Sequence, residues 1–484
     1  MKRILSIITA LTLLFCVLLP VFAADEHTGT SAVEAKYPLI VVRGMQFKSQ
    51  YLDVGTENER YYLDLSFKGI ASAVLKALGG AVGETTFAES LAAAAYDFFD
   101  HVSFNPDGTS KYNVGVWEFP ESYDHYYGAD GLKRFHEIEL LYAACSRYGA
   151  GNVYYFTYDW RNDPYDTAED LNDMVEKALA EHDTDKVDII CGSFGGMVTS
   201  TYIARFGSEK LDSVMFNSGT QCGTLVATEL FQGKAVANEK ALCYLLEHLS
   251  DNFFVRGFMK FLARSGVVSA AAKALNRFID KNKDLIYERT LKPTFGTVPG
   301  LWALVLPEET EACIAYMFPT DELREEYAPI IARARRMAEL NMGADARILH
   351  AVDDGVKISF TAGYNRACVP FYESAATQSD GALESSLMLG RAKCSDVGET
   401  FPADYECDDP ALLSPDRTVD LNGALLPEST WAFRGAEHVA MREGSDLTNF
   451  YFTLIESEVQ PTAENTGVSN FQNLDKNWDF IPFD

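Results

Sequence analysis

Three side chains far apart in the sequence have the chemistry of an acyl-transfer site. Ser193 lies in "CGSFGG", Asp380 in "QSDGALESS" and His438 in "RGAEHVAM". A serine hydroxyl becomes a nucleophile when a histidine removes its proton, and a carboxylate holds that histidine in the required tautomer. We therefore predict Ser193 as the nucleophile, His438 as the general base and Asp380 as the acid that orients the base.

Ser193 is predicted to lie on a sharp turn between a strand and a helix. Residues 187–191 form an apolar run typical of a buried strand, and residues 197–206 have helical spacing closed by Gly207. The nucleophile of an α/β-hydrolase has this setting. A glycine-rich phosphate loop or a plain strand-to-helix turn is the alternative, but the turn contains no lysine for phosphate.

The residues around Ser193 have the small size that such a turn requires. A nucleophile with a strained backbone needs small residues two positions before and two after it, and these positions hold Cys191 and Gly195. The usual G-x-S-x-G pattern has a glycine at the first of these positions. Cysteine departs from that pattern but is still small.

Two backbone N–H groups are expected to stabilise the oxyanion. The N–H of Phe194 lies at the start of the helix, where it can donate to a developing negative charge. The second donor should come from the loop after the first strand, "VVRGMQF", in which Gly44 permits a tight turn. Met45 or Gln46 is the candidate, and we favour Met45.

The order of the residues along the chain selects the base. Three histidines follow Ser193, and they are His248, His350 and His438. The first two fall within or at the edge of a predicted helical region. His438 comes three residues after a strand-like run that ends at Gly435, and the chain order serine, acid, histidine is that of α/β-hydrolases.

The acid is expected on a loop between the later strands. Asp380 precedes Gly381 on such a loop, between Ser193 and His438. Asp353 and Asp354 are the competing carboxylates. They precede the strand that should carry the acid's loop, so we favour Asp380.

The alternation of strands and helices predicts the fold. It runs from residue 36 to residue 222, apart from a family-specific excursion over residues 48–139, and indicates a parallel sheet with right-handed crossovers. Residues 223–352 are a series of helices that we interpret as an inserted cap, and residues 353–457 complete the sheet. The prediction is an α/β-hydrolase fold, a mostly parallel central sheet flanked by helices, with an irregular C-terminal tail over residues 458–484.

The N-terminus has the features of a secretory signal peptide over residues 1–24. Lys2 and Arg3 precede an apolar run, and "VFA" fits the small-x-small rule for cleavage. An uncleaved membrane anchor is the alternative, but the run is short for a hydrocarbon core of about 30 Å. We expect the mature protein to be secreted, or to lie at the extracellular cell surface.

Charge and cysteine content exclude several classes of function. The chain has 41 Lys and Arg against 70 Asp and Glu, a net charge of −29, which argues against a nucleic-acid partner. No cysteine pair has the CxxC spacing of a zinc site, and we expect neither a metal nor a cofactor. Cys394 and Cys407 are close enough in sequence to form a disulfide, or they remain free thiols.

Part of the predicted cap is basic and amphipathic. Residues 256–292 contain nine Lys or Arg against three acids, with apolar residues at helical spacing. A helix of this kind can lie in a membrane interface, which predicts transient contact of the cap with a membrane surface. The ordinary alternative is that the apolar face packs on the core and the charged face meets water.

Several motifs resemble the lecithin:cholesterol acyltransferase family, which includes secreted and lysosomal phospholipases that deacylate or transacylate. The resemblance covers residues 37–456, patchily, and "YDWR" is its most specific part. Cys191 and Ser218-Gly219-Thr220 depart from the family's pattern. The motifs are "YPLIVVRGM", "FTYDWR", "CGSFGG", "NSGTQCGTLVATELFQGK", "SDGALESS" and "RGAEHVAM".

The resemblance implies a site and a reaction. Tyr158, Asp159, Trp160 and Arg161 would lie beside the active site, where Trp160 fills core and Arg161 braces Asp159 in a bidentate pair. The reaction implied is that of a serine acyl hydrolase or O-acyltransferase acting on lipid esters through an acyl-enzyme. A carboxylesterase or amidase for non-lipid substrates, and a catalytically silent hydrolase-like binding protein, are the alternatives.

Overall fold

The computed structural model describes residues 35–46, 50–62, 86–126, 139–248 and 253–483. The predicted signal peptide, residues 1–24, lies outside these ranges, as do parts of the excursion over residues 48–139. Among the described helices, none is both long and apolar enough to cross a membrane.

The central element of the described chain is an eight-stranded sheet. Numbered along the chain, its strands have the order β13-β12-β11-β8-β7-β6-β1-β5, and two smaller sheets have the orders β10-β9 and β3-β2-β4. The strands are β1 Leu39–Val42, β2 Gln50–Leu52, β3 Arg60–Tyr61, β4 Val114–Val116, β5 Val153–Phe156, β6 Val187–Gly192, β7 Leu211–Asn217, β8 Lys357–Tyr364, β9 Lys393–Cys394, β10 Val419–Asp420, β11 Thr430–Arg434, β12 Phe471–Leu474 and β13 Phe480–Ile481.

Helices cover both faces of this sheet and fill the region between β7 and β8. The described α-helices are α1 Phe87–Phe99, α2 Glu139–Tyr148, α3 Pro164–His182, α4 Phe194–Phe206, α5 Leu225–Phe231, α6 Glu239–Glu247, α7 Phe253–Arg264, α8 Val267–Ile286, α9 Pro299–Ala303, α10 Thr310–Met317, α11 Asp321–Glu326, α12 Ala328–Met342, α13 Ala344–Asp353, α14 Ser385–Met388, α15 Asp446–Ile455 and α16 Ala463–Thr466.

The strands of the sheet centre are mostly apolar, and both of their faces are buried. β6 and β7 also contain buried polar residues, among them Asp188 and Asp212. Along β1, Ile40 and Val42 pack in a core with α3 and α4, whereas Leu39 and Val41 pack in a second core with α15. Every residue of β1, β5, β6 and β7 is buried. Mostly apolar runs are the pattern of parallel strands covered on two sides. The run over residues 187–191 correctly predicts β6.

The strand order brings two loops together at one edge. β1 lies between β5 and β6 and is parallel to both, with Val42 beside Phe156 on one side and Cys191 on the other. The carboxyl ends of parallel strands lie at the same edge of the sheet. The loop after β1 therefore lies beside the turn that contains Ser193. This arrangement confirms the predicted α/β-hydrolase fold.

The C-terminal segment corrects the prediction of an irregular tail. β12 pairs in parallel with β11, with Ala432 beside Phe471, and β13 pairs with β12 in the antiparallel direction. The sequence pattern missed β12 because it is short and half polar, "FQNL". Its conformation depends on pairing with β11, and pairing of this kind leaves little local trace in a sequence.

In the described parts of the predicted cap, residues 223–248 and 253–352, the chain is mostly helical, and an isolated bridge pairs Ala235 with Tyr372. The last of these helices, α13, packs on α4, the helix that follows Ser193. The predicted cap is thus continuous with the helical layer of the sheet.

Cys394 and Cys407 are free thiols, which settles the alternative left by their spacing.

Candidate active site

Ser193 has the strained backbone expected of a nucleophile on a tight turn. It has φ 53° and ψ −124° and directly precedes α4. Positive φ is costly for a residue with a side chain and persists only where surrounding contacts hold it. Here the Ser193 N–H donates to the Asn217 carbonyl at 3.4 Å, and the Ser193 carbonyl accepts the N–H groups of Gly196 and Thr220 at 3.0 and 3.2 Å.

Gly195 shows why a small residue is required after the nucleophile. A Cβ at this position would lie 2.7 Å from the carbonyl oxygens of both Val42 and Arg43. Both neighbours are backbone atoms of a central strand and its loop, so neither can move aside at low cost. Glycine at this position lets α4 begin directly beside the end of β1.

Cys191, which departs from the G-x-S-x-G pattern, is accommodated by the core. It is fully buried, and its thiol donates to the Met215 carbonyl at 3.4 Å. Burial raises the pKa of the Cys191 thiol to about 12. Because the thiolate is the nucleophilic form of cysteine, Cys191 does not compete with Ser193 near neutral pH.

The structure brings Asp380 and His438 together. The imidazole Nδ1 lies 2.7 Å from Asp380 Oδ2, and the carboxylate is almost completely buried. The other oxygen, Oδ1, accepts the backbone N–H groups of Ala382 and Leu383 at 3.0 and 3.1 Å. A carboxylate accepts hydrogen bonds, so this contact places the imidazole proton on Nδ1 and leaves Nε2 free to act as a base.

A second strained residue holds the chain beside His438. Val439 has φ 54°, which is an outlier for a β-branched residue. Its N–H donates to the Ser218 hydroxyl at 3.3 Å, and Ser218 itself has φ 49°. A Cβ on Gly192 would lie 2.9 Å from Val439 Cγ1. The residue after His438 therefore lies against the residue before Ser193.

The expected hydrogen bond between His438 and the Ser193 hydroxyl is absent from the structure. Among the described residues, no hydrogen bond joins His438 to the Ser193 hydroxyl. Hydrogen bonds between catalytic groups are often long until substrate is bound. The structure places the two residues on adjoining turns, and Ser193 as the partner of His438 stays a prediction.

The competing residues lie elsewhere. Asp353 ends helix α13 and Asp354 follows it. Both precede β8 and so lie at the amino edge of the sheet, away from Ser193. Asp354 pairs instead with the exposed His350, at 3.7 Å. His248 ends α6 and has its Nδ1 2.8 Å from the Tyr244 carbonyl.

The loop after β1 covers Ser193, as the oxyanion prediction requires. A Cβ on Gly44 would lie 2.6 Å from Ser193 Cβ and 3.3 Å from its Oγ. Met45 follows on this loop and is half-buried. Within the described part of the chain, neither the Met45 N–H nor the Phe194 N–H donates a hydrogen bond to another protein group. Both remain candidate oxyanion donors.

The close approach at Gly44 gives a testable expectation. Gly44→Ala should lower ester hydrolysis by about 100-fold, because the new methyl group displaces either the oxyanion loop or Ser193. The rate on a p-nitrophenyl ester, measured together with the circular dichroism spectrum, tests this expectation. Gly423→Ala is the matched control, since no atom lies within 4 Å of its Cβ position. Full activity of Gly44→Ala would contradict the placement of the loop.

Comparisons with known proteins do not assign a family. No protein-family model matches the sequence, and no curated protein matches it. Among solved structures, the chain is similar to one titled "The crystal structure of Tle4-Tli4 complex". The identity is 13%, the TM-score is 0.32, and the match covers 87% of this chain and 98% of that chain. A likeness of that size carries no argument about function.

Tyr158 supports the oxyanion loop. It is fully buried, and its hydroxyl donates to the Arg43 carbonyl at 2.6 Å. Its ring centroid lies 6.2 Å from that of Phe194. Tyr158 thus touches both segments that carry the two candidate donors, Met45 and Phe194, and its contacts give it a positioning role.

The rest of the "YDWR" motif is structural. Arg161 is completely buried and forms a bidentate pair with Asp159, in which Nη2 lies 2.6 Å from Oδ2 and Nε 3.0 Å from Oδ1. Gln50 also donates to Asp159. Trp160 is fully buried in the core. Arg161 also donates to the His101 and Val114 carbonyls at 3.3 and 3.4 Å, so this motif ties the end of β5 to the excursion.

Glu384 is a site residue that sequence reasoning missed. It follows Asp380 on the acid loop, is completely buried, and accepts the N–H groups of Leu225 and Val226 at 3.3 and 3.0 Å and the Tyr372 hydroxyl at 2.8 Å. Burial raises the pKa of its carboxyl, although these hydrogen bonds act in the opposite direction. Through its hydrogen bonds to Leu225 and Val226, Glu384 connects the acid loop to the first turn of α5. Its only local sign is the acidic residue in "SDGALESS".

In the described ranges, no group of three or more His, Cys, Asp or Glu side chains is placed to hold a metal ion.

Proposed function

We propose that this protein is a secreted serine acyl hydrolase or O-acyltransferase that acts on lipid esters. The observation that carries the proposal is the buried Asp380–His438 hydrogen bond, on the turn that packs against the strained turn of Ser193. Fixing the tautomer of an imidazole beside an activated serine is what acyl transfer requires.

The proposed reaction has two halves. His438 Nε2 removes the hydroxyl proton of Ser193 as Oγ attacks the ester carbonyl, and the N–H groups of Phe194 and Met45 stabilise the oxyanion. The tetrahedral intermediate expels the alcohol, which leaves with the proton from His438. Water or a second alcohol then loses its proton to His438 and attacks the acyl-enzyme, and Ser193 regains its hydroxyl proton as it leaves.

Sequence resemblance supports the choice of lipid esters. The "YDWR" motif, the acid loop and the histidine loop resemble those of lecithin:cholesterol acyltransferases, and each occupies a position at the carboxyl edge of the sheet. Secretion is proposed from the N-terminal sequence, residues 1–24. The net charge of −29 makes nucleic acid an unsuitable partner.

Labelling with a fluorophosphonate probe tests the proposed nucleophile. The wild-type protein should react at Ser193, with the adduct located by peptide mass analysis, and Ser193→Ala should not react. Ser265→Ala, which removes an exposed hydroxyl at the end of α7, is the control and should label normally. An unlabelled wild-type protein would favour a catalytically silent binding protein.

Substrate comparison tests the proposed ester class. Long-chain phospholipid esters should be cleaved more efficiently than short soluble esters of the same alcohol. Probe labelling combined with a preference for short esters or amides would favour a non-lipid esterase or amidase. Adding a long-chain alcohol as acceptor distinguishes hydrolysis from transfer.

A further inference from the structure

Three large apolar side chains are exposed close together on the helical hairpin formed by α7 and α8. Phe258, Phe261 and Val267 are 59%, 66% and 55% exposed. The other strongly exposed apolar residues of the described chain are dispersed, at Tyr61, Met342, Leu349, Val459 and Ile481. Clustered exposure of this kind marks an interaction surface more often than isolated exposed residues do.

The same surface is positively charged on a strongly acidic protein. Residues 253–279 contain five Lys or Arg and no Asp or Glu, in a chain of net charge −29. Arg256, Lys260 and Arg264 are spaced four apart, on one side of α7, and Phe258 and Phe261 are spaced three apart. Arg264 is 74% exposed and lies 3.4 Å from Glu247. We define the hairpin surface as Arg256, Phe258, Lys260, Phe261, Arg264 and Val267.

The opposite side of the hairpin is anchored to the protein. Val268 and Ala272 are buried in a small core with α6. The Asn276 side chain accepts the Ala237 N–H at 2.7 Å and donates to the Ala237 carbonyl at 3.0 Å. Part of the apolar pattern therefore packs on the core, as the ordinary interpretation expects. The hairpin surface is what remains uncovered.

The hairpin is held at the catalytic edge of the sheet. α6 packs against α7, and its Tyr244 hydroxyl lies 2.8 Å from Asn365 Oδ1 and 3.0 Å from the Asn365 carbonyl. Asn365 directly follows β8, on the edge where the chain continues to Asp380. A surface in contact with the hairpin would therefore lie on the same edge as Ser193.

We propose that the hairpin surface docks on the surface of an anionic phospholipid membrane. Aromatic side chains insert at the boundary between headgroups and acyl chains, while adjacent Lys and Arg attract anionic headgroups. The negative charge of the rest of the protein is repelled by such a membrane, so it would turn the hairpin surface toward the lipid. A second copy fits less well, because a two-fold contact would bring the same cations together.

Vesicle flotation tests this proposal without reference to catalysis. The protein should bind vesicles of equal parts phosphatidylcholine and phosphatidylglycerol, and binding should weaken as salt is raised. Phe258→Ser combined with Phe261→Ser should lower the partition coefficient about 10-fold or more. Replacement of Arg256, Lys260 and Arg264 by Glu should lower it about 100-fold or more.

Two controls keep the outcome specific. Met342→Ser removes an equally exposed apolar side chain from α12, and Arg335→Glu reverses an exposed charge on the same helix; neither should change binding. Hydrolysis of a soluble ester should be the same in all of these variants, so failure of the docking proposal is separate from failure of the catalytic one. Binding unchanged in both hairpin variants, equal binding to pure phosphatidylcholine, or a dimer that Phe258→Ser dissociates would each overturn the proposal.

Discussion

Ser193→Ala is expected to lower kcat/KM for an ester substrate by about 10⁴-fold or more, and His438→Ala should have a similar effect. The double variant should be no worse than either single one. The reason is that the hydroxyl has little nucleophilicity without the base, and the base has nothing to activate without the hydroxyl. Rates on a p-nitrophenyl ester, normalised to folded protein, provide the measurement.

His350→Ala is the matched control for this series. Its imidazole is exposed and pairs with Asp354 at the amino edge of the sheet, so the substitution should leave the rate unchanged. If the fold-reduction in kcat/KM of the double variant equalled the product of the two single reductions, Ser193 and His438 would act independently. That result would exclude the proposed triad.

Asp380→Asn should lower kcat by about 10⁴-fold near neutral pH while leaving the fold intact. The backbone N–H groups of Ala382 and Leu383 determine the orientation of the new amide, because both donate to the position that Asp380 Oδ1 now occupies. The amide oxygen takes that place, and its NH₂ group turns toward His438 Nδ1. The imidazole must then carry its proton on Nε2, where it can no longer accept one from Ser193.

The pH dependence of kcat and the melting temperature together test this expectation. Asp354→Asn, at the competing carboxylate, should have wild-type activity, because Asp354 lies before β8 and pairs with His350. Near-normal activity of Asp380→Asn would show that another group orients His438. A large loss of stability would indicate that Asp380 mainly supports its loop.

The sequence predicts the centre of this fold well because burial on two faces leaves a strong pattern. β1 and β5 are continuous apolar runs, and the mostly apolar run of residues 187–191 is found as β6. The small residues around Ser193 likewise indicate the tight turn, because a Cβ at Gly195 would lie 2.7 Å from two backbone carbonyl oxygens. Chain order then points to Asp380 and His438, which the structure joins at 2.7 Å.

Features that depend on distant contacts could not be predicted in the same way. The positive φ angles of Ser218 and Val439 are held by a hydrogen bond between residues 221 positions apart, which no local pattern records. Glu384 appears in the sequence as an ordinary acidic residue, and only the fold shows that it binds the first turn of α5. β12 was missed for the same reason, because its pairing partner defines it.

The position of β12 in the sequence sets when the strand beside β11 is synthesised. It extends the sheet beyond β11, and β11 is the strand whose carboxyl end delivers His438. Residues 471–481 follow Ser193 along the chain and are synthesised after it. Until then β11 is an open edge, and the loop that carries the base lacks its flanking strand. The Ser193 turn is therefore made before the strand that flanks the loop of its proposed base, His438.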